Sequence, residues 1–291
     1  MRNLSVLAAL TTLIVANGAL ASLRVVATIH PLADLVAQVG GVEVAASRLL
    51  PAGANPHSFE PTPVQMRAVA QSALLVRVGA GLDSWADKLL DARAGAVAVV
   101  TVTDGIKLAA LADEHEEAEH GGDPHVWLDP ILARDHIVPA ILAGLIKAQP
   151  GTRHLFEENA AQATARLTAL DIELRQTLAP VRGRGFVAYH SAWGYFSRRY
   201  GLHEVGSLEP FPGKEVSARE VIALVDAARA AASHAVLVEP SFSPRVAEQI
   251  AREIGGRTYS VDPIGAANLP GRDGYVELMN YNARIFLEAL Q

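Results

Sequence analysis

Residues 152–179 read TRHLFEENAAQATARLTALDIELRQTLA, 28 positions without Gly or Pro. Pro150-Gly151 stands before the run and Pro180 after it, residues that punctuate helices. Leu155, Ala163, Leu167, Leu170, Leu174 and Leu178 recur at helical spacing. The stretch therefore predicts one helix, about 42 Å long at 1.5 Å per residue. A helix of that length crosses a whole domain, and its central place makes it a rigid connector.

On both sides of it the pattern changes to short β-rich runs alternating with helical ones. Before it, LRVVATI (23–29) predicts a strand. A helix follows from Pro31, with Leu32, Leu35, Val36 and Val39 on one face and Gly40-Gly41 at its end. Further strands are expected at 42–50, 74–78 and 97–102. Helices are expected at 63–72 and from an N-cap at Ser84 through Leu90. After the connector, strands are expected at 185–190, 203–208, 235–239 and 257–261. Helices fall at 193–200, 217–231, 244–254 and from Gly274 onward. Such alternation predicts an α/β fold with mostly parallel sheets. The expected organisation is two lobes, 22–150 and 181–291, joined by a long rigid helix at 151–180.

The first 21 residues read as an address. Met1-Arg2-Asn3 is a short basic start, Leu4 to Ala16 is apolar, and Gly18-Ala19-Leu20-Ala21 offers small residues for cleavage. The apolar run is shorter than the roughly 20 residues a membrane span needs. A signal peptide cut after Ala21 is expected, with export to a Gram-negative periplasm.

The whole chain has 291 residues, 25 basic and 31 acidic, for a formal charge of -6. Half its residues are hydrophobic, which excludes global disorder. Removing the leader takes away Arg2 and no acid, so the mature charge becomes -7 (24 basic, 31 acidic). An acidic chain of this kind does not neutralise phosphates, so nucleic acid is not an expected partner. Cysteine is absent, which excludes disulfides, thiolate nucleophiles, iron–sulfur clusters and Cys-type zinc sites. A metal would have to be held by His, Asp and Glu.

Four such residues lie in loops or at the ends of expected strands, where open α/β sheets gather ligands. His57 sits in PAGANPHSFEP, His125 in DPHVWLDP, His190 ends GFVAYH and Asp262 follows RTYSV. Alone, a loop His is commonly a surface residue, and an Asp before Pro commonly starts a turn. Together, three imidazoles and a carboxylate suit a divalent first-row metal, with Zn²⁺ favoured. Residues 113–123 (DEHEEAEHGGD) add His115 and His120 among six acids, directly before His125. This tract reads as a mobile acidic loop, either merely solvated or a weak local collector of metal. Glu60, Asp129, Glu209 and Glu239 are candidates to support the imidazoles, Glu239 first because it ends a strand. Gly79-Ala80-Gly81 lacks the third glycine of a dinucleotide fingerprint and reads as a turn.

PAGANPHSFEPTP, GAGLDSWADKLL, DPHVWLDP, YHSAWGYF, EPFPGKEVSARE, VEPSFSP and VDPIG together resemble the substrate-binding proteins of zinc and manganese ABC transporters. They run through nearly all the mature chain. The resemblance implies two α/β lobes, a rigid connecting helix and a metal in the cleft between the lobes. It maps ligands onto His57, His125, His190 and Asp262. His190, where manganese members carry a carboxylate, leans toward zinc. His115 and His120 would belong to a short version of the metal-capture loop of zinc members. The partners implied are an inner-membrane ABC permease and a periplasmic metallochaperone, served by a monomer that is not an enzyme. The alternatives are a manganese receptor of the same fold and a secreted zinc hydrolase. Four protein ligands would leave no open metal position for activated water, and no HExxH motif is present.

Overall fold

Residues 22–91, 97–110, 122–209 and 216–291 are described by the computed structural model. The expected leader, most of the acidic tract, and His115 and His120 within it lie outside the described residues.

The two halves of the chain each build a four-stranded sheet in which every pairing is parallel. The first has β1 (Leu23–Ala27), β2 (Val44–Arg48), β3 (Leu74–Arg77) and β4 (Ala98–Thr101), in the order β2-β1-β3-β4. The second has β5 (Gly185–His190), β6 (His203–Glu209), β7 (Ala235–Val238) and β8 (Arg257–Ser260), in the matching order β6-β5-β7-β8. Parallel strands need crossovers, and the helical segments between them supply these. In the first lobe they are α1 (His30–Gly40), α2 (Pro63–Ala70) and α3 (Trp85–Asp91). Thr62 starts α2 with a capping box to Gln65, worth about 1 kcal/mol. The Gly79-Ala80-Gly81 segment is indeed a turn, all three residues having positive φ, with buried Asp83 accepting from the N–H groups of Val78 and Gly79.

The chain leaves the first lobe through α4 (Val138–Ala148) and enters α5 (Arg153–Leu178), the 26-residue connector. Single 3₁₀ turns at Pro150–Thr152 and Ala179–Val181 replace its expected first and last residues. Its buried stripe is Phe156, Ala160, Ala163, Leu167, Leu170, Leu174 and Leu178. Phe156, rather than Leu155, begins that stripe, because the larger ring fills the core. Asp171 is buried on the same face and accepts from Arg175 and the Tyr200 hydroxyl.

The second lobe adds α6 (Gly194–Tyr200), α7 (Ala218–Ala230), α8 (Pro244–Glu253) and α9 (Tyr275–Leu290). Ser217 and Glu220 form the capping box of α7. The closing helix α9 returns to pack along α5 and also touches α1. One continuous core therefore runs from β1 and α1 through α5 to Phe186, Trp193 and Phe286. Among the described residues no helix is long and apolar enough to cross a membrane.

Candidate metal centre

The first lobe presents His57 on the loop between β2 and α2. Asn55 Oδ1 accepts from the His57 N–H at 2.9 Å, an Asx turn that aims the loop. The Trp85 indole donates to the Pro56 carbonyl at 2.8 Å, and Phe59 packs edge-on against that indole. His125 follows Asp123-Pro124 in the same manner. Asp123 Oδ1 accepts from the His125 N–H at 3.0 Å and from its Nδ1 at 2.8 Å. A 3₁₀ turn, Val126–Leu128, then buries Trp127, whose indole donates to the Pro263 carbonyl of the other lobe at 2.8 Å.

The second lobe presents His190 at the C-terminal end of β5. Glu239 lies just beyond β7, the hydrogen-bonded neighbour of β5. The parallel register brings the two together, with His190 Nδ1 2.9–3.0 Å from both carboxylate oxygens. His190 and Glu239 are both buried.

These three imidazoles come together. Their ring centroids lie 5.0–5.4 Å apart. Each offers a nitrogen within 4.8 Å of the others. The Nε2 atoms of His57 and His125 stand 3.4 Å apart. Two nitrogens bound tetrahedrally at 2.0–2.1 Å from one zinc would be about 3.3 Å apart, so this pair already has the required bite. Asp123 and Glu239 fix Nδ1 as the proton-bearing nitrogen of His125 and His190, which leaves each Nε2 with a lone pair. His190 Nε2 is buried and finds no hydrogen-bond partner among the described residues. A buried polar atom without a partner is costly, and a cation at the cluster would supply one.

The three imidazoles differ in their hold on a proton. Burial, reinforced by the other two imidazoles, pushes His57 well below the ordinary histidine value. Burial also lowers His125, with Asp123 opposing it. At His190 burial again works against the charged form. There the charge and hydrogen bond of Glu239, with Glu204 and Glu209, outweigh it and hold the imidazole above its ordinary value.

Asp262 is buried and lines the same cavity of about 300 Å³ as His125, His190 and Glu239. It is not part of the three-residue cluster found among the described residues. Its Oδ1 accepts from the N–H groups of Ile264 and Gly265, and its Oδ2 from Arg272 at 3.0 Å. Of the other expected supports, Glu60 pairs with Lys88 at the surface. Asp129 caps the helical turn at Pro130–Leu132 and binds Arg199. Glu209 faces His190 across the β5–β6 register. Asp123 and Arg272 were not anticipated. Asp123 stands at the end of the tract read as a mobile acidic loop, yet it is buried, since it serves His125. His30 contacts the Asp273 carbonyl at 3.0 Å and ties the lobes together.

The model of the family described as "Zinc-uptake complex component A periplasmic" matches residues 25–289. The chain belongs to this family. A high-affinity zinc uptake system protein ZnuA from Bacillus subtilis is 28% identical over 282 residues, covering 92% of this chain and 88% of the relative. A crystal structure of ZnuA superposes with a TM-score of 0.82 at 30% identity, covering 93% of this chain and 100% of the other. The periplasmic zinc-binding protein TroA from Treponema pallidum gives a TM-score of 0.81 at 25% identity, over 93% and 99% of the two chains. The two solved structures share this chain's fold.

Proposed function

We propose that this chain is the exported zinc receptor of an ABC importer, binding Zn²⁺ between its lobes and handing it to an inner-membrane permease. The observation that carries the reading is the convergence of three imidazoles, two of which, His125 and His190, rest their outward nitrogens on buried carboxylates and so turn Nε2 inward. His57, His125 and His190 would be the protein's nitrogen ligands, and Asp262 the carboxylate at the fourth position. With that position filled, no site remains for activated water, which favours carriage of the ion over hydrolysis. Family membership and the zinc uptake relatives support the same assignment.

The remaining parts of the reading follow from it. Residues 1–21 would be removed on export to the periplasm. His115 and His120 would collect metal beside His125. The lobes, 22–150 and 181–291, would stay close to one geometry because the 151–180 connector and α9 share their core. The receptor would act as a monomer and could receive zinc from a metallochaperone.

The test is thermal unfolding of metal-depleted protein with and without zinc. Free zinc at 100 times its dissociation constant should stabilise the fold by about 2.7 kcal/mol. An unmoved transition would overturn the reading, and tighter competition by Mn²⁺ than by Zn²⁺ would transfer it to manganese.

A further inference from the structure

Arg272 stands in the cavity wall beside the candidate centre, and nothing in the zinc-carrier reading calls for a cation there. Its Nη1 lies 3.0 Å from Asp262 Oδ2, and both side chains are largely withdrawn from solvent, at 22% and 7% exposure. The guanidinium is held in place. Its carbon sits 4.9 Å over the Tyr281 ring, and its Nε is buried without an acceptor among the described residues. Its backbone is hooked into the loop, with Arg272 N–H donating to Leu269 and Ala266 N–H donating to Arg272. Asp262 is equally committed, because Oδ1 takes two backbone N–H groups while Oδ2 takes the arginine. Asp262, in the wall of the same cavity, thus already has a guanidinium as its partner.

That matters unequally for different cations. Imidazole nitrogens suit zinc, whereas manganese draws its affinity from charged oxygen ligands. We infer that Arg272 sets the metal selectivity of this receptor: by sharing Asp262 it weakens the carboxylate of the fourth position as a ligand, which costs manganese more than zinc. The inference rests on the zinc-receptor reading and assigns a residue to its specificity. Arg272 binds no metal itself. It acts through Asp262, as a cationic competitor built into the cavity wall.

The experiment measures dissociation constants of Zn²⁺ and Mn²⁺ by competition with a chelating fluorophore, for the wild type, Arg272→Met, Asp262→Asn and the double variant. Arg272→Met should tighten manganese more than zinc, lowering the zinc-to-manganese affinity ratio by about tenfold, the scale of one charge-assisted hydrogen bond. The drop should vanish in the double variant, because it needs the freed carboxylate. A ratio that stays put or rises in Arg272→Met overturns the inference, as does a drop that survives Asp262→Asn. Should Arg272→Met fail to fold, Arg272→Leu removes the same charge and the same donor, and the same outcomes decide. Failure of the wild type to bind zinc at all would instead sink the receptor reading itself.

Discussion

His125 from the first lobe and His190 from the second each rest Nδ1 on a buried carboxylate, yet burial prevails at the first and the carboxylate at the second. Asp123 divides its attention. Its Oδ1 also accepts the His125 N–H, and its Oδ2 lies 3.9 Å from Arg198. Glu239 turns both oxygens to His190, and Glu204 and Glu209 add negative charge from the neighbouring strand. The same His–carboxylate motif therefore gives an imidazole that holds its proton weakly on one side of the cleft and one that holds it more firmly on the other. A metal entering the cleft meets less competition from protons at His57 and His125 than at His190.

The largest expected effect comes from removing the imidazoles. His57→Ala, His125→Ala and His190→Ala should each weaken zinc binding by more than the roughly 10–100-fold that a supporting partner is worth. In the metal-free protein the three should separate. His190→Ala leaves Glu239 buried without its partner, a loss of about 3 kcal/mol by the usual cost of breaking a buried pair. His57→Ala removes only a desolvated imidazole that makes no such pair, and should leave metal-free stability within about 1 kcal/mol. Chemical denaturation of the metal-depleted variants checks this. Equal destabilisation by both would erase the proposed difference between the two sides.

The sequence shows one side of this comparison better than the other. The connector is legible because 3.6-residue spacing over many turns is hard to mistake, and the strands because apolar runs end at Gly, Pro and Asx residues. His57, His125 and His190 stand out because each is a polar residue where a strand or turn delivers side chains to a sheet's edge. Glu239 is legible for the same reason. Asp123 is not, because it closes a run of acids, and a charge run gives no sign of which member folds inward. Arg272 is hidden for a different reason. It reaches Asp262 across ten residues of Gly- and Pro-containing loop, where no period predicts contact. Whether Leu155 or Phe156 begins the connector's buried stripe is decided by packing and not by spacing.

A smaller effect is expected from the carboxylates, and here pH distinguishes the lobes. Asp123→Asn and Glu239→Gln should each weaken zinc binding by about 10–100-fold at pH 8. Below pH 6.5 wild-type His190 holds a proton that zinc must displace, since its folded value is raised. Glu239→Gln lowers that value and removes the penalty, so its deficit relative to wild type should shrink as pH falls. The deficit of Asp123→Asn should shrink less, because burial already lowers His125. The metal-free fold should show the same signs through linkage. The His190 contribution to stability is present in full below pH 6.5 and is lost as pH rises through its raised folded value. His57 and His125 act in the opposite sense, costing stability as pH falls from 6.5 toward their lowered values. Zinc affinities of the two variants between pH 8 and pH 5.5 decide the matter, and deficits that run in parallel would refute it.

The smallest expected effect on zinc belongs to Glu204, which touches no imidazole but helps to raise His190 from β6. Ser191 donates to its Oε1 at 2.7 Å, while its Oε2 is buried without a partner among the described residues. Burial, opposed by the Ser191 bond, pushes this carboxyl up to about 7 from 4.5. A carboxyl raised on folding favours the native state while it is protonated. Its contribution is therefore complete below pH 4.5 and fades as pH rises toward 7, where the buried oxygen must carry charge. Glu204→Gln keeps an acceptor for Ser191 and removes that charge. It should stabilise the metal-free protein above pH 7 by on the order of 1–3 kcal/mol and flatten the slope of stability between pH 4.5 and 7. Zinc affinity at pH 8 should change by less than about threefold, since the hydrogen bond of Glu204 goes to Ser191 and not to an imidazole. A Glu204→Gln variant less stable than wild type at pH 8 would show the carboxylate to be a favourable partner of His190. Glu204 would then share with Glu239 and Glu209 in holding the proton of His190.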